Sequence, residues 1–170
     1  MGAGQGEPPL IIQCDTREQR YEHITKSFDE QGVKWFRSKL PVADYIDFNR
    51  PHIAVDRKMN LGELCTNICQ QHDRFRAELL RAQDLEITLI FLVEHSRNIK
   101  TLSDVRHWVN PRLKISPCAL SGMELYKRLC TIEIKYHTEF CFCTKEETGA
   151  RIIQILSENK PKYVFGIERR

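Results

Sequence analysis

The feature that most constrains the fold is the run ITLIFLV at residues 87–93, in which Thr88 is the one polar residue. An apolar run of strand length without polar alternation is typical of a strand buried on both faces of a parallel sheet. Such a sheet needs helices on both sides, because both of its faces must be removed from water. The run therefore predicts an α/β domain.

Strand and helix signals alternate along the rest of the chain. Apolar and β-branched segments predict strands at 10–14, 53–58 and 140–143, and an extended hairpin over 35–48 that is interrupted near Pro41. Apolar spacings of three and four residues predict helices after residue 20, over 61–69 and over 148–156. Gly32 would end the first helix, and Asp73 would N-cap a further helical segment. Residues 97–122 are predicted to be rich in loops.

These signals predict a three-layer α/β domain at residues 10–160, between a flexible leader (1–9) and a C-terminal tail (161–170). A chain of 170 residues with 41% apolar and 29% charged residues is not of the disordered class. No run of about 18 apolar residues is present, so no transmembrane helix is expected. The first residues lack the pattern of a signal peptide, so we expect an intracellular location with reduced thiols.

Positive charge is concentrated in one stretch. Between Arg97 and Arg128 there are seven basic and two acidic residues, a net charge of +5, against +3 for the whole chain. Two interpretations stay open: a surface for a polyanion, or an ordinary solvated loop.

The strand predicted at residues 53–58, IAVDRK, carries the residues most suggestive of chemistry. A period of two places Asp56 and Lys58 on one side, together with Ala54, and Arg57 on the other. An acid and a lysine two residues apart on a strand can bind a metal and hold a water molecule beside it. The side chain of Arg57 is expected to have a structural or salt-bridging role.

Two further acids precede this strand. Asp44 shares its parity with Leu40, Val42 and Ile46, and a carboxylate on such an apolar face needs a cation or hydrogen-bond donors. The alternative is a turn aspartate near Pro41 that faces water. Asp15 ends the first predicted strand, where it could join the other acids at one rim of the sheet or N-cap a helix.

The order of these motifs resembles the XPF-type structure-specific endonuclease domain of the PD-(D/E)XK nuclease superfamily. The resemblance rests on DTRE at 15–18, L-x-x-x-D-Y at 40–45, V-D-R-K at 55–58 and the helix that follows, and it covers residues 10–83. The sequence departs from the family pattern at three positions. Ala43 stands in place of glycine, Asp56 in place of glutamate, and Gly62 in place of an acid. The neighbouring Glu63 could take over the role of that acid. No tandem helix-hairpin-helix module follows the domain.

The resemblance implies a restriction-endonuclease-like fold with a mixed central sheet, and hydrolysis of DNA phosphodiester bonds. Asp44, Asp56 and the Arg57 carbonyl would bind Mg²⁺, with Mn²⁺ as a substitute, and Asp15 would be an outer or second-metal ligand. Lys58 would orient the attacking water and offset charge in the transition state. Arg17 and Glu18 would pair with each other or organise the site, and Glu63 would support it. DNA contacts would fall to Arg74, Arg106, Arg112 and Lys114.

The sequence thus favours a metal-dependent DNA endonuclease that acts on branched or flapped DNA in repair or recombination, in the cytoplasm, nucleoid or nucleus. One alternative is a non-catalytic DNA-binding partner of the same fold, and another is an α/β protein-interaction module. The missing DNA-gripping module and the family's paired domains predict a homodimer or a partner chain.

Overall fold

Six strands form one mixed sheet in the computed structural model, which describes residues 6–160 and 162. Residues 1–5 of the predicted leader, and residues 161 and 163–170 of the predicted tail, lie outside the described residues. The strands are β1 (Ile11–Cys14), β2 (Lys34–Arg37), β3 (Tyr45–Asp47), β4 (Ile53–Lys58), β5 (Thr88–Glu94) and β6 (Glu139–Cys143). Their order across the sheet is β2-β1-β3-β4-β5-β6.

The direction of the strands changes at β3. It pairs antiparallel with both β1 and β4, whereas β1 pairs parallel with β2, and β4, β5 and β6 are parallel to one another. Every residue of β5 is buried, which confirms the prediction from the apolar run. The three-layer α/β fold with a mixed sheet is likewise confirmed.

The predicted hairpin over residues 35–48 is wrong. Its two strands, β2 and β3, lie on opposite sides of β1 and do not pair with each other. The Ser38 N–H donates to the Cys14 carbonyl at 3.0 Å, so the chain continues along β1 after β2 instead of folding back.

Helices cover both faces. They are α1 (Glu22–Glu30), α2 (Leu61–Cys69), α3 (His72–Asp84), α4 (Gly122–Tyr136) and α5 (Thr148–Glu158). Helices α2, α3 and α4 pack on the face that includes Ala54, and α1 and α5 pack on the face that includes Ile53 and Val55. The alternation along β4 therefore sends successive side chains into two different layers, as predicted.

Helix α4 was not predicted, and it takes in the C-terminal end of the basic stretch. Short 3₁₀ helices at Leu102–His107 and Pro111–Lys114 occupy part of the stretch before it. A capping box formed by Ser121 and Glu124 starts α4, and Leu125 and Leu129 bury one side of it. The predicted Asp73 N-cap is also wrong, since α3 begins at His72 after Gln71 and Asp73 lies in its first turn.

All seven cysteines are free thiols. Burial raises the pKa of Cys14 to about 12 and that of Cys143 to about 11, so neither is a reactive nucleophile at neutral pH. Cys69 and Cys118 are exposed. In the described part of the chain, no helix is both long and apolar enough to cross a membrane.

Candidate active site

A cavity of about 680 Å³ opens at the rim of the sheet where β1 and β4 end and β3 begins. Side chains from the sheet and from α2 and α3 line it. The acids among them are Asp15, Glu18, Asp44, Asp56, Glu63 and Glu78. The predicted acids thus share one cavity, at the kind of sheet edge where α/β proteins place their sites.

Asp56 and Lys58 project from the end of β4 into this cavity. The Lys58 Nζ lies 2.7 Å from Asp56 Oδ1, and both residues are buried. Burial opposes the charge on Lys58, but the neighbouring Asp56 carboxylate raises its pKa above the ordinary value. Lys58 is therefore a permanent cation at neutral pH and not a general base.

Asp56 is ion-paired with Lys58 through Oδ1. Its Oδ1 is buried and accepts no well-formed hydrogen bond from the described residues, although the Lys58 ammonium is close. A buried carboxylate oxygen in this state is costly unless a further cation or donor reaches it.

Asp44 lies across from Asp56, although the reasoning from strand parity fails. Residues 41–44 form a bend before β3, and Ala43 and Tyr45 are buried as well as Val42 and Ile46. What holds Asp44 is the backbone of β4. Its N–H donates to the Val55 carbonyl at 3.0 Å, and its Oδ2 accepts from the Arg57 N–H at 2.8 Å.

The surroundings of Asp44 disfavour a second negative charge. Burial and the charge of Asp56 raise the pKa of Asp44 well above its usual range. Two such carboxylates remain ionised together only when positive charge compensates them.

Ala43, immediately before Asp44, has the left-handed conformation, with φ at +60°. This conformation is unfavourable for alanine and easy for glycine, because the β-carbon approaches the following carbonyl oxygen. The glycine that stands before the aspartate in the resembled family thus has a conformational explanation here.

Glu78 was missed by the sequence analysis, and it links α3 to both acids. Its Oε1 accepts from the Ala43 N–H at 3.1 Å. Burial and the charge of Asp56, to which it is hydrogen-bonded, raise its pKa. The available signal was its position at i+3 from Phe75 on the buried side of α3, next to Leu79. A glutamate on that side needs a polar partner.

Asp15 lies in the same cavity but is already paired. The Arg17 Nε donates to its two carboxylate oxygens at 3.2 and 3.0 Å, and the Arg17 Nη2 also donates to it. Burial works against its ionisation, but the hydrogen bonds from Arg17 lower the pKa of Asp15. Asp15 does not N-cap α1, where the cap residue is Tyr21.

Arg57, which also borders the cavity, joins a buried ion network that extends to the other side of the sheet. Its Nη2 donates to Glu18 Oε1 at 2.6 Å, and its Nη1 lies 3.7 Å from Glu94 Oε1. The Glu94 Oε1 also contacts His23 Nε2 at 2.8 Å and accepts from Thr148 Oγ1 at 2.9 Å. Arg57 is thus in a salt bridge, as expected, and Glu18 pairs with it and not with Arg17.

Glu63 has a local hydrogen-bonding role. Its Oε2 accepts from the Met59 N–H at 2.6 Å, and its own N–H donates to Asn60 Oδ1 at 2.8 Å. These bonds fix the start of α2 and use one carboxylate oxygen of Glu63.

The predicted DNA contacts separate into two groups. Arg74 on α3 lines the acidic cavity. Arg106, Arg112 and Lys114 do not line it. Arg106 bonds Ser103 and lies over the Tyr126 ring at 5.4 Å, and Arg112 lines a different groove.

Within the described residues, no three His, Cys, Asp or Glu side chains converge on a point that would hold a metal ion. A site for magnesium does not need three, since this ion keeps several waters and is often held by one or two carboxylates. Asp44 and Asp56 offer carboxylate oxygens from two neighbouring strand ends, which fits a hard divalent cation in that manner.

Comparisons with known proteins concern the domain as a whole. The family model of the ERCC4 domain matches residues 14–156. Two solved structures of XPF from Aeropyrum pernix, one of them in complex with DNA, each match with a TM-score of 0.65 at 17% identity. The matches cover 89% and 88% of this chain and 66% and 64% of those chains, so the chain spans about two thirds of their length. No curated protein sequence matches the chain significantly.

Proposed function

The chain belongs to the ERCC4 domain family, and from that premise we propose that it is a DNA endonuclease that depends on Mg²⁺, for which Mn²⁺ can substitute. Its substrate would be branched or flapped DNA, as arises in repair and recombination.

One observation carries the proposal: the charges at the end of β4 do not balance. Asp44, Asp56 and Glu78 are neighbours of the buried Lys58 ammonium, which is in contact with Asp56. Five arginines also line the cavity: Arg17 and Arg57 are paired with Asp15 and Glu18, and Arg20, Arg74 and Arg81 are exposed. One buried and two half-buried carboxylates beside one buried cation form the kind of acidic cluster that a divalent cation would complete.

Asp44 and Asp56 would hold the cation, with Glu78 beside them. When bound, such a cation supplies Lewis-acid activation of water and of the phosphodiester. Asp44 is held in place by the Arg57 N–H, and Glu78 holds the Ala43 N–H directly before it. The backbone therefore fixes the two acids opposite each other before any ligand arrives.

Lys58 would stabilise the negative charge that develops on the phosphate, because its ammonium is permanently charged and lies in the cavity. Arg74 would reach a neighbouring phosphate at the mouth of the cavity. Asp15 would act mainly by orienting Arg17, which is 62% exposed and can also face the nucleic acid.

Branched DNA presents two or more arms, and the nuclease-like domain by itself has little surface with which to hold them. We therefore propose that the chain acts as a homodimer or with a partner chain. Light scattering over a range of concentrations tests this directly. A strict monomer that cuts branched DNA at full rate would contradict it.

The test of the function is a cleavage assay on fork, flap and four-way DNA, with duplex and single strands as comparators. We expect cleavage of branched substrates in Mg²⁺ and Mn²⁺, none in a chelator, and none by Asp56→Asn. DNA affinity of Asp56→Asn in the chelator should stay close to wild type. Binding without cleavage under every metal condition would identify a DNA-binding partner, and full activity of Asp56→Asn would remove the metal from this account.

A further inference from the structure

A second feature of the helical layer above β4 takes no part in the acidic cavity. Two grooves, of about 570 and 310 Å³, adjoin between α2, α3, α4 and the loop around residues 110–120. They share Ile68, His72 and Arg128 in their walls and form one channel, which we call the basic groove.

The charge of the basic groove is of one sign. Its lysines and arginines are Arg76, Arg112, Lys127 and Arg128, all exposed, and no Asp or Glu lines it among the described residues. None of the four is in a salt bridge within the part of the chain that the structure covers. Glu124, one turn before Arg128 on α4, is occupied by its cap with Ser121. Such a groove attracts a polyanion.

The floor of the basic groove is apolar. Ile68, Leu79, Ile132 and the ring of Tyr136 contribute to it. Grooves of this volume are the size of small-ligand sites, and a B-form duplex is too wide to enter them. A single strand can, because its unpaired bases lie against apolar and aromatic side chains while its phosphates stay at the rim.

The basic groove is next to the acidic cavity. Phe75 lines both. Asn67 on α2, Gln71 in the turn and Arg74 on α3 line the cavity, whereas His72 and Arg76 on α3 line the groove. A nucleic-acid strand could therefore pass from one to the other along the same two helices, whereas an acidic peptide would gain nothing from this adjacency.

We propose that the basic groove binds a single-stranded arm of the nucleic-acid substrate. This proposal rests on the proposed function and adds to it the part of a branched molecule that the domain would hold. It reassigns the predicted DNA contacts: Arg112 belongs to the binding surface, with Arg128, Lys127 and Arg76, whereas Arg106 is committed to Ser103 and Tyr126.

Binding of a fluorescent oligothymidine to the full chain in a chelator tests the proposal without any cleavage. In the triple variant Arg112→Ala/Lys127→Ala/Arg128→Ala, the slope of log affinity against log salt should flatten by about 0.7 for each lost phosphate contact. The matched control is Lys26→Ala/Lys34→Ala/Lys145→Ala, which removes the same charge from exposed positions outside the cavities. An equal slope in the two variants would overturn the proposal.

The chain's own thiols supply a second, local readout. The two exposed cysteines, Cys69 and Cys118, both line the basic groove, whereas the half-buried Cys130 does not. Bound oligothymidine should slow alkylation of Cys69 and Cys118 several-fold and leave Cys130 unchanged. Binding without this protection would place the strand elsewhere and overturn the proposal. Protection by polyglutamate but not by oligothymidine would overturn it in favour of an acidic peptide.

The cleavage assay in Mg²⁺ separates the two hypotheses. If wild type cuts branched DNA while oligothymidine leaves the thiols unprotected, the proposal for the basic groove is wrong and the proposed nuclease function is supported. If no condition yields cleavage but the slope and the protection are as expected, the nuclease is wrong and the groove stands.

Discussion

The two sides of β4 carry buried charge in opposite ways. On the side of α1 and α5, Arg57 lies between Glu18 and Glu94, and Glu94 also contacts His23 and Thr148, so both carboxylates have partners within the protein. On the side of α2 and α3, Asp56 and its acidic neighbours outnumber the one buried ammonium of Lys58. We call the Arg57 network closed, because its carboxylates have partners within the protein, and the Asp56 cluster open, because it has excess negative charge. Adjacent residues of β4 therefore belong to networks of different kinds.

The difference separates a structural role from a chemical one. A buried network in which each carboxylate already has donors within the protein holds helices and strands together without a ligand. A network with excess negative charge is stable in a folded protein when a bound cation compensates it. Here the cavity gives such a cation access to the carboxylates. Substitutions on the two sides should consequently affect different properties, stability for Arg57 and chemistry for Lys58.

The largest expected effect is on the closed side. Arg57→Ala leaves Glu18 and Glu94 buried without their cation, which should lower the free energy of unfolding by about 3–5 kcal/mol. Urea denaturation followed by circular dichroism measures it. Lys26→Ala, which breaks the exposed pair with Glu30, is the control and should change stability by less than about 1 kcal/mol. Equal losses in the two variants would mean that the Arg57 network is not structural.

Lys58→Ala addresses the open side. Because Lys58 is a charged group inside the cavity, its loss should lower single-turnover cleavage by roughly a hundred- to a thousandfold at saturating DNA. Lys58→Arg should recover part of this rate, since it keeps the positive charge. If DNA affinity fell and the saturated rate did not, Lys58 would be an ordinary phosphate contact and the two sides would differ less than proposed.

The smallest expected effect concerns the bend that presents Asp44. Ala43→Gly removes the strain of a left-handed alanine, which should stabilise the fold by about 1–2 kcal/mol. Glycine also makes the unfolded chain more flexible, which should lower the free energy of unfolding by about 0.4–1 kcal/mol. A net stabilisation of about 0.5–1 kcal/mol should appear in the same urea titration. Ala150→Gly in α5 is the comparison and should lose about 1 kcal/mol. A loss at both positions would show that the conformation of Ala43 is unstrained.

Much of the sheet could be predicted because its signals are local. The bounds of β4 and the side on which each of its residues lies follow from a period of two, and the burial of β5 follows from its apolar run. Helix α4 was missed because Pro117, Gly122 and the dense basic charge resemble a loop, although Leu125 and Leu129 are spaced as on one side of a helix.

Other features depend on contacts between distant segments. The order of β2, β1 and β3 is decided by pairing across the sheet, which a hairpin pattern does not encode. The left-handed Ala43 is the opposite of what alanine prefers, so only its tertiary surroundings reveal it. Asp15 pairs with Arg17, and Glu18 pairs with Arg57. These ion pairs likewise follow from the three-dimensional arrangement and not from the local sequence.

The most direct test of the difference between the two sides is Mn²⁺ binding, measured by isothermal titration calorimetry on wild type, Asp56→Asn and Glu94→Gln. Each variant removes one buried negative charge with little change in size, and Glu94 belongs to the closed network. We predict that Asp56→Asn weakens Mn²⁺ binding by at least about tenfold, while Glu94→Gln matches wild type. Equal affinity in wild type and Asp56→Asn would contradict the account.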